Sequence, residues 1–375
     1  MSEEFITIET GGQLWTAFSR VQVRGALDEA ARTFRLEIAF EPGPTATAGV
    51  FKAGNPVKIS SNGDLLCVGF VDRYKPRISA KEGKASIDGR SKAADAIDGA
   101  AIHKTGRFEN KTLLDISKEL DKAGVGFESV AQLDKIPKAQ LRPGETVFGF
   151  IERYARQQNV TLTGTAAGKI QFYDAKAPKR HPGALIEGVN ILSIEVDHNW
   201  SKRHSHYVVR GQKALGTDVD ALEVEAVARD ANVDRWRPTV IVEQKDTDND
   251  RAKKRSKHHR DRSAGRSLSA SCEVQGFRDD AGMLWQPGYL IYVQTPSGDL
   301  ASDMLIQSVD YTQDASGSIA TLSLVDPRAY NGQKSRGNKN GKNWKHDDEE
   351  AEATPPGGEN SKLSEAGAVS GSAVG

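Results

Sequence analysis

Large apolar residues recur at every second position through much of this sequence, and that spacing limits what the chain can fold into. Val21 and Val23 set the pattern, and Phe34, Leu36, Ile38 and Phe40 repeat it. Successive side chains of a β-strand point to opposite faces, so period two marks strands with one buried face. The stretch GNPVKISSNGDLLCVGFVDRYKPRIS reads as a hairpin turning at Ser61-Asn62-Gly63-Asp64. Asn-Gly favours the positive φ that a type I′ turn requires. Short strands at this spacing, joined by Gly-rich turns, predict a small barrel or sandwich over residues 1–102.

Residues 103–184 change character. ENKTLLDISKELDKAGVGF places Leu113, Ile116 and Leu120 on one helical face. Asn110 or Thr112 is available to cap its start and Gly124 its end. RPGETVFGFIERYARQQNVTL predicts a second helix with Val147, Phe150, Ile151 and Tyr154 as its apolar stripe. TLTGTAAGKIQFYDA follows as a hairpin, which makes this an α/β unit. Strand patterns return over 185–330, for example in NILSIEVDHNW, RSLSASCEVQGF, DMLIQSVDYTQD and GSIATLSLVDP. They predict a second barrel with one helix near 247–265, and part of 185–212 is available to complete the first barrel. From Asn331 to Gly375 the chain is polar, Gly/Ser-rich and nearly free of large apolar residues. Such a segment buries too little to offset its ordering entropy and reads as a disordered tail.

The helix near 247–265 contains RAKKRSKHHRDR, with seven Lys/Arg and two His in twelve residues. Over the whole chain Lys+Arg and Asp+Glu both number 51. A protein that coats nucleic acid usually carries a basic excess, because affinity scales with the phosphates it neutralises. The preceding DTDND opens like a calcium loop, yet its sixth and twelfth positions are Arg251 and Lys257 where Gly and Glu are needed. The helical reading accounts for more. Asp246 or Thr247 caps the start, Asp248 and Asp250 sit at the positive dipole end, and Gly265 terminates. Ala252, Ser256, His259 and Ser263 form one narrow, small face, suited to lying on a sheet or a neighbouring chain. The candidate interaction residues are Arg251, Lys254, Arg255 and Arg262.

Catalytic, cofactor and metal signals are weak. His204 and His206 alternate as strand ligands would, but no Cys or carboxylate cluster completes a site. There is no Gly-x-Ser-x-Gly elbow, Walker loop or His-Glu-x-x-His. Cys67 and Cys272 lie inside strand-like runs and read as buried thiols. The first residues lack a basic region followed by an apolar run, and no apolar stretch approaches the ~18–20 residues that span a bilayer. The chain therefore reads as soluble, non-enzymatic and without cofactor or membrane insertion.

Four stretches together resemble the baseplate hub proteins of contractile-tailed phages, most closely those of Mu-like phages. They are GRSKAADAIDGAA, the RPGETVFGFIERYARQQNVTLTGTAAGKIQFY unit, RDANVDRWRPTVIVEQ, and VQGFRDDAGMLWQPGYLIYVQTPS with the ending SLVDPRAY. In the third, Asp230, Val233, Arg235, Trp236, Arg237 and Pro238 carry the likeness. The resemblance implies a mainly β chain with an α/β insertion. It implies two tube-type β-barrel domains and a small α/β domain, assembling as a homotrimeric, pseudo-six-fold ring. Such a ring adapts a six-fold tail tube to a three-fold spike and lines the DNA exit channel. The implied partners are a central spike protein below, a tail tube or tape-measure protein above, and other baseplate proteins, with no specific nucleic-acid sequence. The implied location is the virion tail baseplate, after assembly in the host cytoplasm. TFRLEIAF and ATLSLVD are the strand edges expected to meet across the subunit boundary. A tail-associated peptidoglycan hydrolase and a nucleic-acid-binding protein are the alternative readings.

Overall fold

The structure is a computed structural model, and it describes residues 4–41, 50–175, 178–212, 224–243 and 248–330. The tail expected over 331–375 lies outside the described residues. The first segment forms β1 (Ile6–Thr10), β2 (Gln13–Trp15), β3 (Arg20–Ala26), β4 (Thr33–Phe40), β5 (Pro56–Ser61), β6 (Asp64–Ile78) and β7 (Gly83–Ser91). The middle segment forms α1 (Ala94–Asp98), β8 (Arg107–Thr112), α2 (Leu113–Leu120), β9 (Phe127–Ser129), β10 (Lys135–Gln140), α3 (Val147–Gln157), β11 (Thr161–Gly164) and β12 (Ile170–Tyr173). The last segment forms β13 (Arg180–Ile186), β14 (Ser193–His198), β15 (His206–Gly211), β16 (Val224–Arg229), β17 (Pro238–Val242), α4 (Asn249–Gly265), β18 (Leu268–Gln275), β19 (Leu290–Thr295), β20 (Leu300–Asp314) and β21 (Gly317–Val325).

Strands from both ends of the chain enter one sheet. Its path is β14-β18-β21-β20-β3-β4-β7-β6-β5-β1-β2, with β19 on β20 and β13 on β19. The path contains the same order twice. The first half runs β3-β4-β7-β6-β5 and the second β14-β18-β21-β20-β19. Each half has one 15-residue strand, β6 or β20. Its first part pairs with the strand before it and its second part with the strand after it. Both long strands carry a bulge, at Asp72 in β6 and Gln307 in β20. With bulge set on bulge, Phe70 opposite Arg90 matches Leu305 opposite Val325, and Tyr74 opposite Ile87 matches Val309 opposite Leu322. Bulges bend a strand and raise its twist, so the shared position bends both long strands at the equivalent place.

The two halves join through β3 and β20, with Val23 opposite Tyr311 and Arg24 opposite Asp310. This corrects one expectation. TFRLEIAF is β4, hydrogen-bonded on both sides by β3 and β7, and ATLSLVD lies in β21, bonded by β18 and β20. Neither is an edge, because each already has a strand of its own half on both sides, and even β3 beyond β4 is covered by β20. The sheet path also does not close into a separate barrel in either half among the described residues.

One core runs beneath both halves. Leu36 and Ile87, paired in the first, and Cys272 and Leu322, paired in the second, are all at 0% exposure. The hairpin turn is as expected: Asn62 has φ 48° and Gly63 φ 88°. The α/β unit has its own core of Phe108, Leu113, Ile116, Phe150, Ile151 and Phe172. Thr112 caps α2 reciprocally with Asp115, and Thr146 caps α3 through the Gly149 amide. The helix α2 ends before Gly124, because the Asp121 carboxylate takes the amides of Val125 and Gly126 at 2.9 and 2.7 Å. Arg32 locks this unit to the sheet. Its buried guanidinium donates to the carbonyls of Leu66 at 2.8 Å and Gly164 at 3.3 Å.

Candidate assembly surfaces

A three-stranded sheet ordered β16-β15-β17 carries α4 on one face. Asp248 caps that helix, accepting from the Arg251 amide at 2.7 Å. Asp246 and Thr247, the expected caps, lie outside the described residues. The small face expected from sequence packs inward. Ala252 and Ser256 are buried, and Ala252 sits with Val209, Val224 and Ala226 of the sheet. At the other end, a Cβ on Gly265 would lie 2.2 Å from the Ala329 backbone nitrogen, so only glycine permits this approach. The helix is thus held by small residues, and its charges are left to the outside.

The sequence-derived interaction residues do not form one cluster, and Arg262 borders a groove with Tyr207, Thr239 and Ile241 of the sheet. Arg251 and Lys254 are exposed on the first turns. Arg255 pairs with Glu243 at 2.8 Å, which ties the helix to the end of β17. Arg262 lies near the C-terminal end, where burial, with Arg266 nearby, pushes its pKa down. His204 and His206 do not converge. His204 meets the Tyr207 ring edge-on at 5.8 Å and His206 lies 4.6 Å from Trp236. No group of three or more His, Cys, Asp or Glu able to hold a metal occurs among the described residues. No helix among them is long and apolar enough to cross a membrane. Cys67 and Cys272 are free and buried, and burial pushes both thiols up to about 12.

Two features escaped the sequence reading. The first is structural: Arg203 and Asp230 form a buried two-pronged ion pair at 2.6 and 3.1 Å. The Arg203 guanidinium also lies over the Trp200 ring at 4.6 Å. The pair anchors the loop between β16 and β17, and removing one partner of such a pair typically costs about 3–5 kcal/mol. The second is a surface. On the sheet face away from α4, Val208 lies opposite both Val227 and Val240, and Val242 and Trp236 stand beside them. Trp236 is 75% exposed and Val242 71%. The sequence signal was available, because PTVIV places apolar residues on both faces of a strand.

Comparison with known proteins follows this architecture segment by segment. Residues 5–91 match the family described as Mu phage baseplate assembly protein GpP-like, N-terminal. Residues 93–173 match the second domain of the baseplate hub protein gp44-like family. Residues 248–333 match the fourth domain of Mu phage baseplate assembly protein GpP. The chain is 26% identical over 337 residues to baseplate hub protein gp44 of Escherichia phage Mu, covering 86% of this chain and 88% of that one. Among solved structures it is similar to the 43 kDa tail protein of prophage MuSo2 from Shewanella oneidensis. That likeness has TM-score 0.76 and 27% identity, covering 87% of this chain and 99% of the other. The fold is also similar, with TM-score 0.55 and 12% identity, to the E. coli c3393 protein, a type VI secretion component described as resembling the T4 tail proteins gp27 and gp5. That match covers 84% of this chain and 76% of the other. With three segments matched in chain order and relatives aligned over most of their length, the chain belongs to the family of Mu-like phage baseplate hub proteins.

Proposed function

We propose that this chain is the symmetry adaptor at the centre of a phage baseplate, a structural hub without catalytic activity. Three copies form a ring in which the two halves of each chain act as tube-type barrel units. Six similar units then face a six-fold tail tube or its tape-measure protein above, and a three-fold spike docks below. The ring surrounds the channel through which DNA leaves, and other baseplate proteins attach outside. The particle is put together in the host cytoplasm and the hub ends up in the virion tail baseplate. The matching division of the chain is 1–102, 103–184 and 185–330, with 331–375 as a tail.

The observation that carries this reading is the repeated strand order with its bulge at the same place. One chain that presents the same unit twice is what a three-fold object needs to meet a six-fold one. Closed rings require a heterologous interface, in which one face of a protomer meets a different face of the next. The test is light scattering with multi-angle detection on the purified chain at tens of micromolar, followed by particle averaging. A mass three times 40.6 kDa and six similar lobes around a three-fold axis are expected. A chain that stays monomeric or dimeric, alone and with its spike, overturns the ring. Clearing of peptidoglycan in a zymogram, or DNA binding with a steep salt dependence, would overturn the purely structural reading.

A further inference from the structure

The internal joint between the two halves is a template for a contact that the chain leaves open. In the joint, the second part of β20 takes β3 on its outer side. The equivalent strand in the first half is the second part of β6, and among the described residues nothing pairs with its outer side after the bulge. The equivalent of β3 in the second half is β14, which pairs only with β18. One half therefore offers an open acceptor and the other an open donor. They belong to opposite ends of the sheet path, so a single chain cannot join them as the internal joint does.

Carrying the register across gives a definite set of pairs. Asp310 opposite Arg24 becomes Lys75 opposite Asp197, Thr312 opposite Gln22 becomes Arg77 opposite Glu195, and Gln313 opposite Val21 becomes Ile78 opposite Ile194. Both charged pairs are of opposite sign and the third is apolar on both sides. Lys75, Arg77, Glu195 and Asp197 are exposed, and none makes an ion pair among the described residues. Ile78 is 64% exposed, a large apolar side chain left on an open edge. We propose that β14 of one copy adds to the outer side of β6 in the next copy, in the register of the internal β3–β20 joint.

The charges also set the order of the pieces. The internal joint places a base on β3 and an acid on β20, with Arg24 and Asp310 paired at 2.5 Å. The proposed contact reverses this, with the acid on β14 and the base on β6. A β14 arriving at another copy's β20 would set Asp197 against Asp310, and a β3 arriving at β6 would set Arg24 against Lys75. Like charges directly opposite are unfavourable, so the reversal keeps each joint for its own partner. Pro76, beside these charges, has no N–H to give. The Ser79 amide bonds Glu82 across the β6–β7 turn, and with alternate residues facing opposite sides, Pro76 faces the open edge. The contact therefore has one ladder bond fewer than its template. That weakening, with the exposed bases Arg73, Lys75 and Arg77, keeps the edge from pairing with arbitrary strands.

The number of copies that close the contact rests on the ring proposed above; the contact itself does not. In the template, Leu27 donates to the Gln307 carbonyl at 2.7 Å. Alternation from there makes Thr312–Gln22 a non-hydrogen-bonded pair, the type with Cα atoms ~4.5 Å apart. That suits a disulfide. The full chain carrying Arg77→Cys and Glu195→Cys should, on mild oxidation, give a reducible ladder ending at a covalent trimer. A control with Arg73→Cys and Glu195→Cys, four positions out of register, should give none. Separately, Lys75→Glu with Arg77→Glu should raise the dissociation constant of the assembly about 30-fold or more. Adding Glu195→Lys and Asp197→Lys to that variant should bring it back to within about three-fold. Circular dichroism melting checks that each variant is folded. A wild-type trimer that shows neither cross-link nor charge dependence overturns the strand contact and leaves the ring. Cross-linked open chains that never close at three overturn the ring and leave the contact. Monomers that neither associate nor cross-link overturn both.

Discussion

The two halves of the sheet share strand order, bulge and core positions, yet they differ in what fills their loops. Between β3 and β4 the chain needs only Leu27–Arg32. Between β14 and β18, the equivalent connection, it runs from Asn199 to Ser267 and holds the β15–β17 sheet and α4. The strands next to β5 and β19 differ as well. The strand β1 runs antiparallel to β5, whereas β13 runs parallel to β19. The framework is thus constrained by its hydrogen-bond ladders and shared core, while its connections accept whole additional layers. Loop closure entropy rises only slowly with length, so such an insertion costs the framework little.

The comparison can be broken most forcefully in the core. Leu36→Ala should cost about 2–5 kcal/mol and Cys272→Ala, at the equivalent place, about 1 kcal/mol, each measured by urea unfolding. Because both residues belong to one core, each variant should still unfold in a single transition. Two separated transitions would show that the halves are independent bodies. The attachment of the inserted layer is the next target. Gly265→Ala drives a methyl group into the Ala329 backbone and should cost about 1–3 kcal/mol, with no counterpart in the first half to compensate. Thermal unfolding that matched wild type would mean that α4 is less tightly seated than its contacts imply.

The smallest expected effect distinguishes the halves by pH. His181 is fully buried in the second half, between Asp279 at 3.0 Å and the rings of Trp285 and Tyr289. Burial lowers its pKa, with Asp279 opposing. The unfolded chain takes up a proton near the ordinary histidine value of ~6.5, which the folded chain resists. The stabilising contribution is therefore complete above that pH and is lost as pH falls toward the lowered folded value. His181→Gln should flatten the decline of melting temperature between pH 7 and 5. His259, whose pKa burial also lowers, is present in both proteins and cancels in the difference. An unchanged slope would assign the decline elsewhere.

Local chemistry was legible in the sequence and distant pairing was not. Asn62-Gly63 specified its turn because the backbone there needs positive φ, and Thr112 specified a helix start because its hydroxyl reaches the Asp115 amide. The stripe of α3 was visible in its spacing. By contrast, the alternation of Val21 and Val23 says that β3 has a buried face, not which strands lie beside it. Its partner β20 is nearly the whole chain away. The basic residues on α4 stand out in the sequence by charge density, which marks a solvated face. The edges that matter to assembly carry ordinary alternating charges, and they become conspicuous only once the repeat supplies a register. Trp236 and the valines beside it read as core by composition, and only the sheet with its single covered face reveals them as surface.

The long strand β20 is shared among three ladders, β19 along its first part and β21 and β3 along its second. That arrangement has a mechanical consequence. A pull along the strand loads every cross-strand bond of the joint at once, in shear. A pull across the strand opens them one after another from an end, as a zipper. The joint between halves is therefore stiff in one direction and yielding in the perpendicular one. How a ring of such joints bears a sudden load depends on which way its strands point.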